Sequence, residues 1–126
     1  MHILIVEPDK ILQDSYKDML LAGRYTVDGA FTAEQAIGCA DKTRPNVVVL
    51  NSALARHNGV EFLYEFKSYS DWQDIPIIVL APELGYESFE KALSGFKTGN
   101  IRVLVQSKTT LRQLSENIAS MVGEQT

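Results

Sequence analysis

Only one cysteine and four prolines occur in the 126 residues of this chain. Cys39 alone cannot close an internal disulfide, and nothing around it has metal-ligand spacing. Disulfide scaffolds and zinc modules are thereby set aside, and a reducing cytoplasm becomes the default. Basic charge is also short: 12 Lys and Arg stand against 16 Asp and Glu, a formal net charge of -4. That balance gives no electrostatic footprint for nucleic acid. No apolar run nears the roughly 20 residues that span a bilayer. The amino terminus, Met1-His2-Ile3-Leu4-Ile5, enters a strand directly, with no basic region or cleavage site. A phosphate cradle is missing as well, because Glu7-Pro8-Asp9-Lys10 lacks the glycines and hydroxyls that bring backbone N–H groups close. No Ser or Cys has a recognisable base beside it; His2 starts a strand and His57 sits in the loop Ala55-Arg56-His57-Asn58-Gly59. Hydrolytic and redox chemistry therefore find little support.

What is present is an alternation of strands and helices. Short Val/Ile-rich runs cover Ile3 to Val6, Tyr25 to Val27, Val47 to Leu50, Ile77 to Leu80 and Ile101 to Val105. Their lack of period-two alternation suits strands buried on both faces, with Tyr25 to Val27 the weakest and an edge. Between them, Asp9 is placed to cap a first helix with Leu12, Tyr16, Met19 and Leu20 on one face, stopping near Gly23. Thr32 with Gln35 forms a capping box ahead of Ala33, Ala36, Ile37 and Ala40. A third helix follows Gly59 with Phe62, Leu63 and Phe66, and a fourth carries Phe89, Ala92, Leu93 and Phe96 up to Gly99. The fifth shows Leu111, Leu114, Ile118, Met121 and Val122 behind Thr109 or Thr110. Alternating strands and helices imply right-handed crossovers and a parallel sheet covered on both sides. The expected fold is a flavodoxin-like doubly wound α/β domain of five strands in order 2-1-3-4-5 with five helices, over residues 1–122, with 123–126 as a tail or the start of a linker.

One residue stands out in that layout. Asn51 closes the run Asn46-Val47-Val48-Val49-Leu50, at the carboxyl end of a strand, where open α/β sheets place their chemistry. An aspartate there could take up a phosphoryl group as an acyl phosphate; an amide has no anionic oxygen to attack with.

Over almost its whole length the chain resembles the receiver domain of bacterial two-component response regulators. Ile3 to Val6 looks like that family's first strand, and Asn51 to Gly59 has its spacing from phospho-acceptor to loop glycine. Asp74-Ile75-Pro76-Ile77-Ile78-Val79-Leu80 is similar to the approach to the fourth strand, and Lys97-Thr98-Gly99 to the end of the fourth helix. The resemblance implies phosphoryl transfer from a histidine kinase to an aspartate in an acidic pocket holding Mg²⁺. This sequence departs from the pattern at four of the five positions that carry that chemistry. Glu7 keeps a carboxylate at the end of the first strand, but Pro8 replaces the second acid, and Asp9 reads as a helix cap rather than a ligand. Asn51 stands at the acceptor. Ala81, followed by Pro82, stands where a Thr or Ser hydroxyl is usual. Gln106, counting from Gly99, or Ser107, counting back from the fifth helix, stands where a lysine is usual, with Lys108 nearby. Val103 falls at the aromatic switch position, and the stretch from Leu80 to Gly99 is a few residues longer than usual.

Clustered carboxylates repel and raise one another's pKa unless a metal and a cation offset them, so the four losses are mutually consistent. The reading is a pseudo-receiver: no catalytic residue, no metal ligand set, Mg²⁺ binding weak or absent, and signalling through protein contacts. The resemblance places the partner or homodimer surface on the fourth helix, fifth strand and fifth helix, where Lys91, Lys97, Arg102, Lys108 and Arg112 make a local basic excess around Val103. Two other readings are a working receiver that uses Ser52, Glu7 or Asp9 as acceptor, and a small molecule held at the strand ends.

Overall fold

The computed structural model describes residues 1–54, 59–84, 86–93 and 100–123. Five parallel strands form one sheet in the order β2-β1-β3-β4-β5: β1 (His2–Val6), β2 (Thr26–Ala30), β3 (Val47–Asn51), β4 (Ile77–Ala81) and β5 (Ile101–Val105). Five helices connect and follow them: α1 (Lys10–Ala22), α2 (Ala33–Lys42), α3 (Gly59–Ser68), α4 (Tyr86–Ala92) and α5 (Leu111–Gly123). A short 3-10 turn, Gln106–Lys108, leads from β5 towards α5.

The pleat divides each central strand between two cores. Leu4, Val6, Val48, Leu50, Ile77 and Val79 face α2 and α3 with Phe62, Leu63, Phe66, Trp72 and Leu93. Ile3, Ile5, Val47, Val49, Ile78 and Leu80 face α1 and α5 with Tyr16, Leu20, Leu114, Ile118 and Met121. Burial on both faces is why these strands read as unbroken apolar runs. The register places Val6 beside Leu50 and Asn51 beside Leu80, so the strand carboxyl ends converge on one edge of the sheet.

The caps follow the sequence. Asp9 Oδ1 accepts from Leu12 N at 3.0 Å, and Thr32 Oγ1 accepts from Gln35 N at 3.1 Å. At α5 the capping residue is Thr110, whose hydroxyl accepts from Gln113 N at 3.0 Å while Gln113 Oε1 accepts from Thr110 N at 2.8 Å. Gly59 opens α3 against Ser52: its N–H donates to Ser52 O at 2.9 Å, and a Cβ there would stand 2.9 Å from Ser52 Cα.

Four expectations need correction. The second strand is Thr26–Ala30 rather than Tyr25 to Val27, because an edge strand tolerates Asp28 and Gly29 that no apolar run would include. On α1 the buried line is Gln13, Tyr16 and Leu20, while Leu12 is 37 % exposed. Leu111 is exposed, so the buried line of α5 starts at Leu114. Finally, α5 runs through Gly123, one residue past the expected boundary. Phe96 and Gly99, assigned to the fourth helix, lie outside the described residues, as does His57.

Candidate functional site

The strand carboxyl ends carry Glu7 and Pro8 after β1, Asn51 ending β3, Ala81 ending β4, and Gln106 after β5. Glu7 is 1 % exposed, although it is a carboxylate. Burial of an ionised carboxylate is costly unless donors surround it. Asn51 supplies them: its Nδ2 lies 3.0 Å from Glu7 Oε1 and 3.2 Å from Oε2. The N–H of Asp9 donates to Glu7 Oε2 at 3.0 Å. The amide can face only one way, because Asn51 Oδ1 simultaneously accepts from Ala53 N at 2.9 Å. Residues 44 apart in sequence thus form one saturated polar contact.

Two further amides complete the edge. Gln13, 1 % exposed, donates through Nε2 to Glu7 O at 3.1 Å and to Ala30 O at 2.9 Å, tying α1 to the ends of β1 and β2. A Cβ on Gly29 would collide with Gln13 Oε1 and the Lys17 side chain, so glycine is the residue that lets this helix side chain lie over the edge strand. Gln106 Nε2 donates to Tyr16 Oη at 3.1 Å, joining the end of β5 to α1. Burial pushes the Tyr16 phenol above its ordinary 10.0; the bond from Gln106 pulls it back in part, and the charges of Glu7 and Asp9 push it up again. Among the described residues no buried side-chain nitrogen or oxygen lacks a partner.

The remaining expected positions separate from this contact. Pro8 is exposed, Ala81 is fully buried and offers a methyl group, and Ser107 is exposed within the 3-10 turn. Lys108 turns outward to Glu83 Oε1 at 3.2 Å, spanning from the 3-10 turn to the loop after β4. Ser52 is 8 % exposed; its N–H donates to Leu80 O at 3.0 Å and its carbonyl accepts from Gly59.

On the face built by α4, β5 and α5, Val103 pairs with Val79 in register, and Tyr86 Oη reaches Val103 O at 3.5 Å. Arg102 Nη1 donates to Asn117 Oδ1 at 2.8 Å, and Arg112 Nε pairs with Glu116 at 3.3 Å. Lys91 is exposed on α4, and Lys97 lies outside the described residues. Much of the basic excess counted from sequence is therefore answered locally: Lys108 and Arg112 each face a glutamate. A cavity of about 410 Å³ opens on this face between Leu104, Lys108, Thr109, Gln113, Glu116 and Asn117.

Sequence reasoning missed Gln13, Tyr16 as a polar group, Glu83 and Tyr86. Gln13 left one faint signal, a polar residue one position from an apolar stripe with a glycine in the neighbouring strand.

The family model for the response regulator receiver domain matches residues 3–116. The chain belongs to that family. Among curated receiver-containing relatives, response regulator MprA from Mycobacterium avium (strain 104) is 28% identical over 99 residues, which is 79% of this chain and 41% of the relative. MprA from Mycolicibacterium vanbaalenii is 29% identical over 97 residues, 77% of this chain and 40% of the relative. This receiver domain thus spans well under half the length of those relatives. The chemotaxis protein CheY4 of Vibrio cholerae has the same fold, with a TM-score of 0.84 at 20% identity over 95% of this chain and 97% of that one.

Receiver chemistry in general requires a divalent cation, and the residues here can be tested against it. Mg²⁺ takes oxygen ligands in near-octahedral geometry, commonly one or two carboxylates. Glu7 offers two oxygens that already accept from Asn51 and Asp9, Asn51 points its NH₂ rather than its carbonyl at them, and Pro8 has no donor. Among the described residues no group of three or more His, Cys, Asp or Glu converges as a metal site. This donor set does not fit the ion.

Proposed function

We propose that this receiver domain is a pseudo-receiver: it takes no phosphoryl group at residue 51 and signals by binding protein. The observation that carries the reading is the Asn51 amide seated on both oxygens of the Glu7 carboxylate. Acyl-phosphate formation needs a carboxylate nucleophile, a cation to gather the phosphoryl oxygens, and a positive charge to neutralise them. Asn51, Pro8, Ala81 and Gln106 supply none of these, and Lys108 is engaged with Glu83. Catalytic activity and a resident Mg²⁺ have no place in this reading.

The partner surface in the proposal is the face of α4, β5 and α5, with Lys91, Arg102, Val103, Lys108 and Arg112, occupied by another protein or a second copy. Its exposed ion pairs add little stability. They are available to exchange partners across an interface, where complementary charge sets register and specificity. The folded unit, read from the sequence as residues 1–122 and carried by α5 to Gly123, works in the cytoplasm without contact to nucleic acid or membrane; among the described residues no helix is long and apolar enough to cross a bilayer.

Incubation with acetyl phosphate and Mg²⁺ followed by intact-mass measurement tests the reading. The expected mass is unchanged. A stable gain of one phosphoryl group, mapped to Ser52 or another residue, would overturn it.

A further inference from the structure

We infer that three neutral side-chain amides, Gln13, Asn51 and Gln106, replace an ion as the fastening of the strand carboxyl ends, and that the pocket therefore holds one closed state that divalent cations leave unaltered. This rests on the pseudo-receiver reading and extends it from what the site has lost to what the replacing residues do. Each amide ties separate elements together. Asn51 joins β3 to the residue after β1, Gln13 joins α1 to β1 and β2, and Gln106 joins the end of β5 to α1.

The electrostatics of Glu7 explain why an amide is needed. At 1 % exposure its carboxylate is shielded from water, and a buried charge without donors is strongly destabilising. Asn51 provides neutral N–H donors where an ion would provide positive charge. An incoming cation would first have to displace the amide from both Glu7 oxygens, and would then meet the Asn51 carbonyl held by the Ala53 N–H and, beside Glu7, Pro8 with no side-chain ligand. A ligand shifts a conformational equilibrium only through its differential affinity for the two states. With no ion site formed in the closed state, and with its ties independent of any ion, the pocket is a fixed joint and not a switch.

Thermal unfolding in EDTA and in millimolar Mg²⁺ tests this. The wild-type midpoint should be the same in both. Asn51→Asp sets two carboxylates against each other and should lower the midpoint by roughly 10 °C in EDTA, with Mg²⁺ recovering much of the loss. The transposed pair Glu7→Gln/Asn51→Asp keeps one acid and one amide in contact, and should return towards the wild-type midpoint in EDTA. If the single variant does not fold, folding of the transposed pair is the readout. A wild-type midpoint that rises with Mg²⁺, a single variant unshifted in EDTA, or a transposed pair no better than the single variant would each overturn the inference. Phosphorylation of the wild type at another residue would remove the proposed function while leaving this joint standing. A Mg²⁺-stabilised wild type that takes up no phosphoryl group would do the reverse.

Discussion

At the amino ends of the strands the titratable side chains of His2 and Lys67 make joints beside the Asn46 amide, which accepts from His2 N at 2.7 Å, whereas at the carboxyl ends the side-chain donors are neutral amides. The His2 imidazole bridges Thr26 Oγ1 at 2.7 Å and Asp28 Oδ2 at 2.9 Å, tying β1 to the edge strand. The Lys67 ammonium, half-buried, donates to Gln73 O at 2.9 Å, Ile75 O at 2.7 Å and Asn100 Oδ1 at 3.2 Å, pinning α3 to the approaches of β4 and β5. Receiver chemistry calls for acids and a lysine at the carboxyl end. Here, among the described residues, the lysine with the most hydrogen-bond partners sits at the other end of the sheet. The contrast teaches that this fold does not depend on where its charge is kept. It depends on each buried polar group finding a partner, and a neutral donor can meet that requirement where an ion would otherwise do so.

The contrast can be broken from either end. The largest effect should come from Gln13→Ala, which leaves the carbonyls of Glu7 and Ala30 without their side-chain donor and opens a void under α1. The expected loss is about 2–4 kcal/mol, read from the urea midpoint with unchanged slope. A loss near zero would show that α1 is held by its apolar stripe alone. A smaller and differently shaped effect belongs to the amino end. Burial lowers the Lys67 ammonium from 10.5 to about 8, while Asp74 pulls the other way. Above that value the unfolded chain holds more protons than the folded one, so stability should rise with pH. Cys39, raised from 9.0 chiefly by burial, works in the opposite direction once the unfolded thiol ionises. The rise should therefore be clearest between pH 8 and 9. It should disappear in Lys67→Met, as chemical denaturation across that window would show. Smallest of all is Lys108→Ala, expected to cost less than roughly 0.5 kcal/mol because both partners of its pair are mostly in water. A larger loss would mean that the outward clasp to Glu83 helps to close the pocket.

Much of the fold is legible in the sequence itself. Buried Val and Ile runs gave four strands near their true bounds, and Asp9, Thr32 and the pair Thr109-Thr110 announced helix starts through side chains that need no tertiary partner; the structure selects Thr110 from that pair. The second strand was harder to see, since an edge strand is half solvated and Asp28-Gly29 breaks its apolar signal. The departures at Asn51, Pro8, Ala81 and Gln106 could be read as single positions; their contacts could not. Asn51 meets Glu7 across 44 residues and Gln106 meets Tyr16 across 90, distances over which no local pattern carries information. The same limit applies to the surface. A count of cations suggested a basic face, yet Glu83 and Glu116 answer two of them through contacts that only the fold creates.

At Gly29 the edge strand leaves room for the ends of two α1 side chains. Gln13 and Lys17 lie over it from the helix side, and any side chain there would have to push them away. The resting place of these two α1 side chains is therefore shaped by the absence of one methyl group. Alanine, the mildest substitution available, already requires the ends of Gln13 and Lys17 to shift, and so disturbs the amide that joins the Glu7 and Ala30 carbonyls.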